Sequence, residues 1–203
     1  TQLGQDDAYT RFILEVVNDV TVTPKSGTST MTKTVDDIND STNEGMQEVN
    51  SADYDIGDTV PFTLTGTLPS NYGDYTSYKY IFHDRMLNGL SFMGNVTVYI
   101  DDIFGIPLDS SYYTVVDIGL TDGCTFEVRF DNLKNVPGIT KDSKIIVRYN
   151  ALLLGTDEIT SMGYPNFAHL EYSNNPNVGG EGDTGSTFEE YVPVCTYQVI
   201  INK

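Results

Sequence analysis

Tryptophan is absent, basic residues are scarce, and histidine and cysteine occur only twice each in 203 residues. Eleven Lys and Arg against 29 Asp and Glu leave a formal net charge of −18. Such a chain has little with which to neutralise a row of phosphates, which argues against a nucleic-acid binder. The same shortage argues against attachment to anionic lipid through a basic patch. No apolar run approaches the length of a membrane span. The N-terminal TQLGQDDAYTRF (1–12) has neither a methionine nor a signal-peptide pattern. Cys124 and Cys195 lie too far apart for metal-type spacing and leave either one disulfide or two half-buried thiols. No HExxH, GxSxG or phosphate-loop sequence is present, and no metal or cofactor is implied. Without Trp there is no strong sugar-stacking platform. Among so many acidic residues, a glycosidase-type carboxylate pair has no specific signature.

Hydrophobic residues make up 39% of the chain and aromatic residues 11%, enough for a real core despite the charge. Short segments rich in Val, Ile, Thr, Tyr and Phe alternate apolar with polar, and clusters of Gly, Asn, Asp and Pro separate them. They include TVPFTLTGTL (59–68), YKYIFHD (78–84), NVTVYI (95–100), YYTVVDI (112–118), CTFEVRF (124–130), KIIVRYNALLL (144–154), NFAHLEYS (166–173) and EYVPVCTYQVII (190–201). This spacing predicts an all-β sandwich of antiparallel sheets. Helical content is confined to a turn or two, at RMLNG (85–89) and DEITSMG (157–163). FILEVVNDVTV (12–22) reads as a further strand, so residues 1–23 are the remnant of a preceding domain or an extra edge strand, with a linker over 24–30. The sandwich domain is expected over 31–203, and the strand-like C-terminal TYQVIINK makes the chain read as an excised fragment. DDINDSTNEG (36–45) and SNNPNVGGEGDTGS (173–186) read as polar loops. The first lacks the Gly and closing Glu of a calcium-binding EF-hand loop.

Side chains two apart on a strand point the same way, and three polar residues break the apolar faces that this parity defines. Lys33 shares a face with Met31 and Val35, Asp84 with Tyr80, Phe82 and Met86, and Asn166 with Ala168, Leu170 and Tyr172. A charge buried alone is costly, so such residues need partners. One reading is an ordinary Lys–Asp ion pair beside an amide. The other is chemical: a desolvated lysine amine is nucleophilic, and a buried aspartic acid stays protonated. Together they can join the lysine to the asparagine carboxamide with loss of ammonia. His83 and His169 have the opposite parity and read as solvent-facing spacers.

The segments VTVTPK (20–25), MTKTVDDIND (31–40), YDIGDTVPFTLTGTLP (54–69), YKYIFHDRMLNGLSF (78–92), RYNALL (148–153), NFAHLEYSNNPN (166–177) and FEEYVPVCTY (188–197) carry a resemblance. Taken in order, they resemble the isopeptide-forming domain of sortase-assembled backbone pilins from Gram-positive bacteria. The resemblance implies an immunoglobulin-like sandwich of the collagen-adhesin type and a structural role in a cell-wall-linked surface pilus, with other pilin subunits as partners. It implies a single-turnover, autocatalytic cross-link rather than an enzyme, with Lys33 as nucleophile, Asn166 as amide partner and Asp84 as catalytic acid. It also implies that Lys25, in TPK where the family has a YPK-like tripeptide, is the lysine joined to the next subunit by the sortase. Lys203 falls where a following domain's bond-forming lysine would begin. The rival expectation is an adhesin domain that binds a host protein or glycan, with the Tyr-rich NYGDYTSYKY (71–80), and Tyr72 and Tyr75 in particular, as its contact surface.

Overall fold

A computed structural model describes residues 27–37, 47–156, 163–177 and 183–196. The chain folds as two packed β-sheets. The first is built from β1 (Thr30–Asp37), β2 (Gln47–Val49), β4 (Thr59–Thr67), β6 (Leu90–Phe92), β7 (Thr97–Ile100) and β10 (Lys144–Leu153). Its order is β2-β1-β4-β10-β6, with β7 also lying along β10. The second contains β3 (Ala52–Asp53), β5 (Tyr80–Met86), β8 (Thr114–Val116), β9 (Phe126–Phe130), β11 (Tyr164–Ser173), β12 (Thr184–Ser186) and β13 (Glu190–Cys195). Its order is β3-β13-β11-β5-β9-β8, with β12 beside β11. Every pairing is antiparallel except that of β3 with β13. This is the all-β sandwich that the alternating segments predict, of the immunoglobulin-like type that the resemblance implies.

Alternation makes the core. Along β4, Val60, Phe62 and Leu64 are buried, and along β10 so are Ile145, Val147, Tyr149, Ala151 and Leu153. Phe82, Phe126, Val128, Leu170 and Val192 face them from the second sheet. The two sheets meet closely where Gly66 on β4 leaves room for the Tyr80 hydroxyl, which would lie 2.3 Å from any added Cβ.

Several expectations change. RMLNG is not helical: Arg85 and Met86 continue β5, and a turn follows with Gly89 at φ +104°. Among the described residues, three short 3-10 turns occur instead, at Tyr72–Asp74, Ser110–Tyr112 and Leu133–Asn135. The polar segment 173–186 contributes β12, which pairs with the end of β11. Tyr72 and Tyr75 are no contact surface. The turn at 72–74 folds them into the core, each with its ring edge-on to Tyr78. His83 does point away from the sandwich interior, yet it is buried rather than solvent-facing, stacked on His169 with ring centroids 4.5 Å apart. Cys124 and Cys195 are both free and half-buried. Residues 1–26 (with Lys25), most of 36–45, residues 157–162 of the second helical candidate, and Lys203 lie outside the described residues.

Candidate functional site

Lys33 is central in β1, opposite Leu64 of β4, so it reaches inward from the first sheet. Asp84 and Asn166 reach inward from the second. Asp84 lies directly across from Ala168 of β11 and Phe126 of β9, and Asn166 is one inward-facing step along β11 from Ala168. Adjacent strands thus place the acid and the amide as diagonal neighbours, and the lysine arrives from the opposite layer. Asp84 and Asn166 have no exposed surface and Lys33 is 4% exposed.

The Lys33 Nζ donates to Asp84 Oδ2 at 2.5 Å and to the Tyr149 hydroxyl at 2.6 Å. The Tyr149 hydroxyl donates in turn to Asp84 Oδ2 at 2.5 Å and accepts from Asn166 Nδ2 at 3.0 Å. One phenol oxygen therefore touches all three residues that parity singles out. Tyr149 lies on β10, opposite Phe62, and is the site residue that sequence reasoning missed. An inward tyrosine in a strand is an ordinary core residue by pattern, and only the cross-sheet packing reveals what its hydroxyl meets.

Aromatic rings wall the cluster. Phe62 stacks on Tyr149 at 5.5 Å between centroids, Phe126 meets Tyr149 edge-on at 4.8 Å, and Phe92 stacks on Phe126 at 4.0 Å. The Lys33 Nζ sits 5.2 Å from the Phe62 centroid and 5.4 Å from that of Tyr149. Burial lowers the Lys33 pKa against the pull of Asp84. Burial likewise raises that of Asp84, against the opposing effects of Lys33, Tyr149 and Asn166. The Tyr149 phenol is raised well above its ordinary value by burial and by the neighbouring carboxylate, so it stays a proton donor. Both shifts of the Lys33–Asp84 pair favour the uncharged arrangement, amine beside carboxylic acid.

Two buried acceptors, Asp84 Oδ1 and Asn166 Oδ1, have no hydrogen-bond partner. Leaving such atoms unpaired is costly.

No family model matches the chain, and no curated protein matches it in sequence. Solved structures do resemble it. The major pilin subunit BcpA of Bacillus cereus superimposes with a TM-score of 0.58 at 15% identity, over 83% of this chain and 41% of that one. The full-length major pilin SpaD of Corynebacterium diphtheriae gives 0.60 at 18% identity, over 93% and 44%. A C-terminal fragment of the major pilin GBS80 of Streptococcus agalactiae gives 0.56 at 16% identity, over 82% and 55%. The chain thus has the fold of a Gram-positive backbone pilin domain, and it spans about half the length, or less, of the pilins it matches. Among the described residues, no helix is long and apolar enough to cross a membrane.

Proposed function

We propose that this chain is a structural module of a bacterial surface pilus, closed by an intramolecular isopeptide bond between Lys33 and Asn166. The observation that carries the reading is the convergence of Lys33, Asp84 and Asn166 on the Tyr149 hydroxyl in a ring-walled core. The pilin fold supports the pilus role, in which the domain occupies 31–203 and Lys25 is the lysine that a sortase links to a neighbouring subunit.

The chemistry balances without a cofactor. The Lys33 ammonium passes one proton to the Asp84 carboxylate. The neutral Nζ attacks Asn166 Cγ while the Asp84 carboxyl hydrogen-bonds the carbonyl oxygen. The Cγ–Nδ2 bond breaks, its electron pair leaves on nitrogen, and a proton from Nζ completes ammonia. An amide joins Nζ to Cγ, and Asp84 ends protonated. The fold supplies proximity, which is worth many orders of magnitude in effective concentration.

Intact mass is the test. The purified chain is expected to be lighter than its sequence by one ammonia, and Asn166→Ala to have its full sequence mass. Wild type at its full sequence mass would refute the cross-link.

The pH dependence is also fixed by the pair. Amine plus carboxylic acid holds the same number of protons as ammonium plus carboxylate, so interconverting them neither takes up nor releases a proton. The closure rate, followed by mass after a short pulse of cell-free synthesis, is therefore expected to be flat across neutral pH. It falls on the acid side, where the pair gains a proton and the nucleophile is lost. It falls on the basic side, where the pair loses one and the acid is lost. A rate that climbs steadily through neutrality would mean that Lys33 titrates alone.

A further inference from the structure

On the outer face of the second sheet, directly behind Asp84, four potential ligands from two parts of the chain meet. His83 on β5 lies directly across from Glu127 on β9. The loop that precedes β9 brings Asp122 and Cys124 over the same ring. Gly123, at φ +86°, makes that turn, and the Cys124 backbone N–H donates to Asp122 Oδ1 at 3.0 Å. Thr125 anchors the loop, its N–H donating to the Asp84 carbonyl at 2.7 Å and its hydroxyl accepting from the Met86 N–H at 2.9 Å.

His83 Nδ1 is 3.1 Å from Asp122 Oδ2, 3.1 Å from Glu127 Oε1 and 3.8 Å from Cys124 Sγ. One imidazole nitrogen carries at most one proton, which two carboxylates would have to share. A cation at their centre can serve them and the thiol. Ligands held tetrahedrally at zinc distances lie about 3.3–3.8 Å apart. The Nδ1 contacts fall within a few tenths of an ångström of that range, and the donor atoms of His83, Asp122 and Cys124 all lie within 4.8 Å of one another.

The far side of the ring supplies a second, independent observation. His83 is only 8% exposed, and its Nε2 is buried without a hydrogen-bond partner, 3.5 Å from Glu171 Oε2. A metal on Nδ1 fixes the proton on Nε2 and aims it at that carboxylate, the usual support for a metal-bound histidine. Burial and the nearby carboxylates push the Cys124 thiol up to about 12, so it is a poor free nucleophile. A bound cation reverses that electrostatic balance. Glu127 keeps a second anchor through its ion pair with Arg129.

We propose that His83, Asp122, Cys124 and Glu127 form a binding site for a borderline-soft divalent metal ion of the zinc class. The thiol and imidazole select such an ion over calcium or magnesium. Binding releases the Cys124 proton to solvent and clamps the loop before β9 onto β5, the strand whose inner face carries Asp84. The site is not legible in the sequence, because His83 lies about 40 residues before the other three ligands and the set matches no metal motif.

The test uses the whole chain, stripped with a chelator and titrated with Zn2+ and, separately, with Co2+. One Zn2+ per chain is expected, with proton release seen as a heat that depends on the buffer. Co2+ is expected to give a thiolate-to-cobalt charge-transfer band. Cys124→Ser should abolish the band, and both it and Asp122→Asn should weaken Zn2+ at least tenfold. Asp122 is exposed, so its variant is expected to fold normally. Cys195→Ser should leave both signals intact, and excess Ca2+ should not compete. Equal Zn2+ affinity in wild type, Cys124→Ser and Asp122→Asn would assign binding to the acidic surface at large and overturn the site. So would the lack of a thiolate band in wild type.

Discussion

Lys33→Ala is expected to extend far more than wild type when the chain is pulled from its ends, and to melt well below it. The bond from Lys33 to Asn166 closes a loop of about 130 residues. Treated as loop closure in the unfolded chain, a cross-link of that size stabilises the fold by about 5 kcal/mol. In a domain of this size, that corresponds to roughly 10–20 °C in Tm. The melting result alone does not decide the matter, since removing a buried lysine stem also leaves a cavity worth about 2–3 kcal/mol. Extension does decide it. A covalently closed loop cannot be drawn out, and about 130 residues at full stretch represent roughly 450 Å of contour. Wild type is expected to fall short of Lys33→Ala by that length in single-molecule force extension. Equal lengths would mean that force passes through hydrogen bonds alone and that the module is an ordinary sandwich.

Parity made the three polar core residues legible, because a strand alternates strictly and each of them interrupts an otherwise apolar face. Lys33, Asp84 and Asn166 lie inward in the structure for that reason. What parity does not contain is which sheet faces which. The position of Tyr149 predicts burial, but its contact with Lys33 depends on β10 and β1 flanking β4 across from β5 and β11. Tyr72 and Tyr75 were ambiguous for a different reason. NYGDYTSYKY has no clean period, and the 3-10 turn that buries its tyrosines spans three residues, too short to leave a pattern. Strands β2, β3, β6 and β12 are likewise two or three residues long and offer no alternation to read. Parity sets His83 on the outer face, yet its burial comes from a loop folding over it, a tertiary event that local sequence does not record.

Asp84→Ala is expected to be the least stable of the site variants. It removes the acid, which as a general acid–base group contributes about 10²–10⁴-fold to closure, so the chain should purify at its full sequence mass. It also strands the Lys33 ammonium in a box of aromatic rings. Breaking a buried ion pair by removing one partner costs about 3–5 kcal/mol, which adds to the lost cross-link. The lysine can escape that cost by giving up its proton, since burial already lowers its pKa in the folded state. The unfolded chain then binds more protons than the folded one, and stability rises with pH up to the ordinary lysine value. Denaturant midpoints of Asp84→Ala are therefore expected to climb from neutral to alkaline pH. The double variant Lys33→Met/Asp84→Leu also lacks the bond, but it carries no buried charge, so it should be the more stable of the two and nearly insensitive to pH over that range. If Asp84→Ala instead loses ammonia as completely as wild type, Asp84 is not the acid.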